Sequence, residues 1–527
     1  MDLLRSAKCI WSTAEAEKRD QYRVFRKKFI LTENNEDKFF LRIAADSTFD
    51  VRVNGRRCLG QQLADLPGKY TESLLDLSGM VRLGENEILI EVHYRGRTCL
   101  TYCAGRAFLC AAVTRWESIL CATDASWQWA PAPVMRSGVD VQVSGQLGET
   151  FIADLRGAEG KVKWHDAVEV PGTEEWTISP RPVPQLLEHP CPAVTIVQCG
   201  FLERAGERAT AAATAAADYL SPRDPQKVFS SLPDGAVVDG TLRRRPVLTP
   251  DGASPLKFAP LPEGEHADGR YLIADLGEET VGYLTLALTA PAGTVVDICH
   301  GEHLDDGRVR AAIGSRNFAD RLICREGENE FLYTHRRLGA RYLELHLTGI
   351  PEGGEVSLRR LSLIPLSLPL PAAAGFRCDD RLLEKIRQVS VRTLDLCMHE
   401  HYEDCPWREQ ALYPYDSRNQ MLYGYYVWGN CRFAAASLDL LGGNFDGDRY
   451  LRLTSPGRSS LTIPIFTLIW IVELYEYQLY SGDSSQTSAW LGQVDRILDR
   501  ALEDEVPGFP GLHHPGDSKE AKLWNFC

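Results

Sequence analysis

No apolar leader core opens this sequence: MDLLRSAKCIW gives way at once to Glu15, Glu17, Lys18 and Arg19. Nor is any apolar run of bilayer length. The longest, Leu461 to Val472, contains Pro464, whereas a spanning helix needs about 20 apolar residues. Basic clusters are short, Arg243-Arg244-Arg245 reading as a solvated loop, and a net charge of −14 opposes nucleic acid, whose phosphates require gathered Lys and Arg. The 15 cysteines form no CxxC pair and no repeating frame, so they are expected to be thiols in a cytoplasmic protein. HExxH spacing is missing too, and His399-Glu400-His401 and His513-His514 read as solvated or packed histidines. A neutral or weakly charged ligand such as a sugar fits this balance; nucleic acid, membrane and metal do not.

What the chain does have is length. At 527 residues, with 44% hydrophobic and 25% charged, it exceeds one core and is expected to form two to four domains. Short strand-like runs come first, at Phe39 to Ala44, at Phe49 to Val53, and at Glu87 to Val92 with strict alternation. Asn54-Gly55 is a tight-turn signal, since both residues tolerate positive φ. Residues 120–190, rich in Pro and Trp, read as irregular extension and linker, and 206–219 as an alanine-rich, helix-prone insertion. A second β region covers about 268–364. There Tyr271 to Gly277 and Val281 to Leu288 read as strands around a turn, and Asp275, Glu302 and Asp320 as structural acids.

After Ile364 the period changes. Asp379 is placed as N-cap for a helix carrying Leu382, Leu383, Ile386, Val389 and Val391. Further helices are expected over Gln420 to Leu441, Thr462 to Tyr480 and Ser488 to Glu503, the first two ended by Gly442-Gly443-Asn444 and Ser481-Gly482-Asp483. The expected architecture is multidomain β plus α. Antiparallel sandwich or jelly-roll domains occupy 1–190 and 191–370, and helical hairpins 371–527.

The densest chemistry is HEHYEDCPWREQALYPYDSRNQ, from His399 to Gln420. It sets Glu400, Glu403, Asp404, Glu409 and Asp416 among Tyr402, Trp407, Tyr413 and Tyr415, with Arg408 beside Glu409. Aromatic faces cover the apolar sides of a sugar ring and acids bind its hydroxyls. A carboxyl in such a half-dry setting can keep its proton near neutrality. The plainer reading is a polar loop between helices.

At Asp404-Cys405-Pro406-Trp407-Arg408-Glu409, with Asp416 seven residues on, the sequence resembles bacterial α-L-rhamnosidases of glycoside hydrolase family 78. Cys397-Met398-His399-Glu400 and Asp416-Ser417-Arg418-Asn419-Gln420 resemble a subgroup of that family. Trp11, Ala44-Ala45-Asp46 and Val53-Asn54-Gly55 resemble its amino-terminal sandwich. Asp275-Leu276-Gly277, Gly282-Tyr283, Ala292-Gly293-Thr294 and Gly301-Glu302 resemble the β-domain before its barrel. Pro414-Tyr415-Asp416 stands where the commoner members have a WTGD-like ending, so sugar specificity stays open.

The resemblance implies that 371–527 is the first part of an (α/α)6 six-hairpin barrel with Glu409 at its mouth as general acid. Asp404 and Asp416 would bind sugar hydroxyls and tune Glu409. Arg408 would orient a carboxylate or hydroxyl, and Trp407, Tyr413 and Tyr415 would wall the pocket, while Trp428 and Trp470 are assigned to the core. It also implies inversion, in which a second carboxylate acts as base on water with the carboxyls about 6.5–9.5 Å apart. That base is a Glu late in the barrel, expected beyond residue 527; Lys522 to Cys527 resembles the start of a segment that continues. The chain is therefore expected to be truncated, to expose an apolar patch, to aggregate and to show negligible turnover. No cofactor is needed, a carbohydrate is the expected partner, and oligomeric state is not legible. The alternatives are a six-hairpin glycosidase for another sugar and a non-catalytic carbohydrate-binding protein.

Overall fold

The computed structural model describes residues 3–510 apart from 34–37, 117, 207–209, 240, 261–265, 430, 446–449, 460 and 504. The expectations for His513-His514 and for Lys522 to Cys527 lie outside the described residues.

Alternation builds the first β-unit. Gly84–Tyr94 turns Ile88, Ile90 and Val92 inward and pairs antiparallel with Gln21–Leu31 and Thr48–Val53. Facing this sheet is a second one centred on Phe39–Asp46 and Phe108–Arg115. Leu41, Ile43, Phe108 and Trp11 share one core with Phe25, Ile88 and Ile90, and each such side chain contributes about 1.5–3 kcal/mol on burial. Asn54-Gly55, at φ 51° and 78°, makes the expected hairpin into Arg56–Cys58.

Residues 120–190 are not a linker. Gln128–Pro131 pairs with Gln21–Leu31, Thr177–Pro180 runs parallel to Lys69–Asp76, and Ile152–Asp154 runs parallel to Ala319–Ile323 in the next unit. Strands this short carry no readable period. Pro131 and Pro180 also sit at strand ends, where a missing N–H is tolerated.

The second β-unit is one eleven-stranded sheet around two 22-residue strands, Gly269–Ala290 and Gly327–Thr348, paired antiparallel. The two strands read from Tyr271 to Gly277 and from Val281 to Leu288 are thus one. What reads as a turn is a bulge between Asp275 and Thr280, where Gly277, at φ 89°, donates its N–H to Asp275 Oδ1 at 2.8 Å. Two short helices, α1 (Ala211–Ala217) and α2 (Pro225–Val228), lie before it, α1 within the alanine-rich segment.

Five helices follow: α3 (Arg381–Asp395), α4 (Pro414–Val427), α5 (Cys431–Gly442), α6 (Pro464–Ser481) and α7 (Ser485–Glu503). The α3 N-cap is Asp380 rather than Asp379, its Oδ1 accepting from Leu382 N at 2.8 Å. The single helix expected from Gln420 to Leu441 is two, broken where Gly429 takes φ 63°. Gly482, at φ 72°, ends α6 as expected. Met421, Leu438, Trp470, Leu474 and Ile497 form the helical core, and Tyr283 and Leu366 of the second β-unit close it.

A six-hairpin barrel is not evident among the described residues. The apolar stripe of α3 faces outward, with Leu382 66% exposed and Leu383, Ile386 and Val389 beside it. Tyr426 of α4 (69%) and Tyr475 of α6 (65%) are exposed in the same way. No helix among the described residues is long and apolar enough to cross a membrane.

Candidate active site

The run from His399 to Gln420 joins α3 to α4 and lies on the bulged strands of the second β-unit. A Cβ on Gly339 would stand 2.1 Å from Pro406 O, so only glycine lets the run approach this closely. The first acids of the run are structural. Glu400 and Glu403 are drawn onto Arg337 of Gly327–Thr348, at 2.7 and 2.8 Å. Burial works to raise the Glu403 carboxyl, but Arg337 and His399 together bring it down to about 2. His401 Nδ1 donates to Tyr402 O at 2.7 Å, and burial lowers the affinity of its ring for a proton.

Past this anchor the chain makes a closed loop. Asp404 N donates to Ala411 O at 3.0 Å, and Ala411 N donates to Asp404 Oδ1 at 2.9 Å. Gln410, at φ 52°, reaches back with Nε2 to Pro406 O at 2.7 Å. The loop holds Asp404 and Glu409, and Asp416 follows in the first turn of α4, where the helix dipole favours a carboxylate. That turn is pinned to α6: Ser417 Oγ donates to Glu473 Oε1 at 2.6 Å, and Arg418 grips Glu476 through two nitrogens.

Three carboxyls now crowd one another. Burial pushes Asp404 up to about 7, and Glu409 and Asp416 add to the rise against the Ala411 N–H and Cys405. Asp416 is raised by burial and then by Glu409. Glu409 itself is held at both oxygens: Arg316 Nη2 donates to Oε1 at 2.9 Å and the Tyr413 hydroxyl to Oε2 at 2.9 Å. Burial and the Glu409 charge make that hydroxyl a weaker acid, with Gln146 its other partner. An acid set with a proton held near neutrality beside an ionic partner can exchange protons with a bound ligand.

The loop, α4 and the β-unit thus bring Asp404, Glu409, Tyr413 and Asp416 together. Arg408 is exposed and faces Glu302, whose carboxyl is raised by burial and lowered by Arg408. Tyr415 is 48% exposed, its ring tilted on Phe466 at 5.6 Å. Trp407 departs from the expected pocket wall. It is 2% exposed, packed on Phe318 at 4.6 Å with the His303 ring edge-on at 5.9 Å, so it presents no open face. Its apolar bulk is spent joining the motif to the β-unit. Trp470 is buried with Nε1 on Leu438 O, in the core.

Sequence reasoning missed Arg316, Gln146 and the approach of Glu302 to Arg408. Arg316 lies on a two-residue strand, Arg316–Asn317, after a Gly314 turn, and Gln146 in the Gln142–Glu149 hairpin; Asn317 Nδ2 ties the two hairpins at Gln142 O, 2.8 Å. No local pattern marks either.

Behind the loop, where all three units meet, lies a cavity of about 130 Å³ lined by Gln61, His93, Arg336, Arg337, Glu400 and Gln410 among others. Arg336 Nε and Nη1 and Gln61 Oε1 are buried there without a hydrogen-bond partner among the described residues.

Residues 265–360 match the bacterial alpha-L-rhamnosidase concanavalin-like domain family. Comparison with curated proteins finds no match. Among solved structures, the family 78 rhamnosidase of Bacillus sp. GL1 superposes with TM-score 0.75 at 22% identity, over 95% of this chain and 70% of that one. The α-L-rhamnosidase of Aspergillus terreus gives 0.63 at 15%, over 97% and 53%. That of Streptomyces avermitilis, solved with L-rhamnose, gives 0.63 at 17%, over 93% and 42%. The chain thus spans about half or less of the latter two proteins. Residues 265–360 thus carry a domain of that family, and the chain shares its fold with solved α-L-rhamnosidases over nearly all its length.

Proposed function

We propose that the chain is a glycosidase of α-L-rhamnosidase type, acting on terminal α-L-rhamnosyl groups with inversion at the anomeric carbon. One observation carries the reading: Asp404, Glu409 and Asp416 couple electrostatically at one loop and helix end, against a matching β-domain. Glu409 is assigned as the acid that protonates the departing glycosidic oxygen. Asp404 and Asp416 are assigned to bind ring hydroxyls beside it. The same reading assigns Tyr413, Tyr415 and Arg408 to the border of that site. Inversion needs a base on the opposite face of the sugar, about 6.5–9.5 Å from the acid. The reading assigns that part to no carboxylate among the described residues, so it expects negligible turnover from this chain alone.

Binding is therefore the first test. Saturation-transfer NMR with L-rhamnose, L-fucose, D-mannose and D-galactose is expected to show L-rhamnose bound in preference. Preference for another sugar would replace the rhamnose reading by a six-hairpin enzyme of different specificity. Binding that survives removal of residues 371–527 would favour a non-catalytic carbohydrate module. Hydrolysis of 4-nitrophenyl α-L-rhamnoside that Glu409→Gln abolishes would overturn the expected inactivity while confirming the acid.

A further inference from the structure

Glu409 stands on the helical side of the site, yet the group that grips it comes from the second β-unit. Arg316, on the hairpin of Ala312–Ile313 and Arg316–Asn317, places Nη2 2.9 Å from Glu409 Oε1, with both side chains mostly shielded from water. Its Nε is buried without a hydrogen-bond partner among the described residues, so the guanidinium is not anchored elsewhere through that nitrogen. Tyr413 takes the other oxygen at 2.9 Å. Both oxygens of Glu409 accept, which is the bonding pattern of a carboxylate and not of a proton donor. Asp404 in the loop and Asp416 in α4, which couple to Glu409 electrostatically, are both acids. Arg316 is the cation that lies on the acid itself.

This conflicts with the acid role unless the clamp opens. We propose that Arg316 is a positioning residue that holds Glu409 as a closed ion pair, and that a sugar entering the site displaces it. The guanidinium then turns from Glu409 toward ligand oxygens, and the carboxyl, freed at Oε1, is left among Asp404, Asp416 and Tyr413. Gln142 O, by accepting from Asn317 Nδ2 at 2.8 Å, steadies the hairpin at the residue next to Arg316. The inference rests on the rhamnosidase reading for the identity of the sugar but not for the existence of the clamp.

A double-mutant cycle on the full chain tests it. Arg316→Gln and Glu409→Gln should each lower Tm, with the double variant losing no more than the worse single one; Arg316→Lys, which keeps the charge, should retain most of the wild-type value. Additive losses would overturn the clamp. The second readout is ligand charge. Both ligands must displace Arg316, but a protonated iminosugar of the rhamnose ring shape is also repelled by the guanidinium that stays in the site, whereas neutral L-rhamnose is not. Arg316→Gln should therefore shift the affinity ratio about tenfold toward the iminosugar. An unchanged ratio with both ligands bound would overturn displacement and leave the sugar reading intact. Failure of wild type and variant to bind either ligand would remove the sugar reading, and displacement with it, while the cycle still decides the clamp.

Discussion

Arg337 places one guanidinium nitrogen 2.8 Å from Glu403 inside the protein, with neither side chain appreciably open to water. The pair links the second β-unit to the start of the site loop, and Glu400 shares the same nitrogen at 2.7 Å. Removing the cation strands two buried carboxylates. Arg337→Met should cost about 3–5 kcal/mol at pH 7, read by urea unfolding. Glu403 is held at about 2, below its ordinary 4.5. Its stabilisation is therefore complete above about pH 4.5 and lost as pH falls toward 2. The gap between variant and wild type should narrow over that window; a gap independent of pH would contradict the assignment.

Asp404 has the opposite sign. Its folded value of about 7 lies above the ordinary 3.8, so its contribution is full below pH 3.8 and lost as pH rises through 7. Asparagine keeps the acceptor for Ala411 N and carries no charge. Asp404→Asn should gain stability over wild type between pH 5 and pH 8, on the order of 2 kcal/mol after allowing for partial exposure. A variant destabilised equally at both pH values would show that Asp404 is a structural acid.

The outward stripe of α3 should make the protein self-associate, since Leu382, Leu383, Ile386 and Val389 form one exposed apolar face. Leu383→Glu with Ile386→Glu should shift sedimentation toward monomer while changing stability by only about 0.5 kcal/mol per site. Unchanged association would place the contact elsewhere.

The cavity behind the loop should be wet. Arg336 Nε and Nη1 and Gln61 Oε1 need partners, and polar cavities of this size hold ordered water. A crystal structure should place waters on those atoms, and a dry cavity would contradict this.

Local signals in the sequence were reliable where the cause is local. Asn54-Gly55 makes its hairpin and Gly482 ends α6, because both depend on positive φ at one residue. Errors arose where partners are distant. The strands of 120–190 exist only through edge pairing, and the Asp275–Thr280 bulge reads as a turn because it locally breaks alternation. Trp407 looks like a sugar platform within its own segment, yet Phe318, 89 positions earlier in the numbering, covers it. Asp404, Glu409 and Asp416 were legible because one loop and one helix turn carry them. Arg316 was not, because its relation to Glu409 exists only after two units pack.

The central claim is that these three carboxylates form a rhamnose site, and the affinity of the chain for L-rhamnose tests it most directly. Isothermal titration of wild type, Asp404→Asn, Glu409→Gln and Asp416→Asn should show binding weakened about tenfold or more in the two aspartate variants, as expected for losing a charged hydrogen bond. Glu409→Gln should change affinity less, because its part is played in proton transfer. L-rhamnose binding unaffected by both aspartate substitutions would contradict the account.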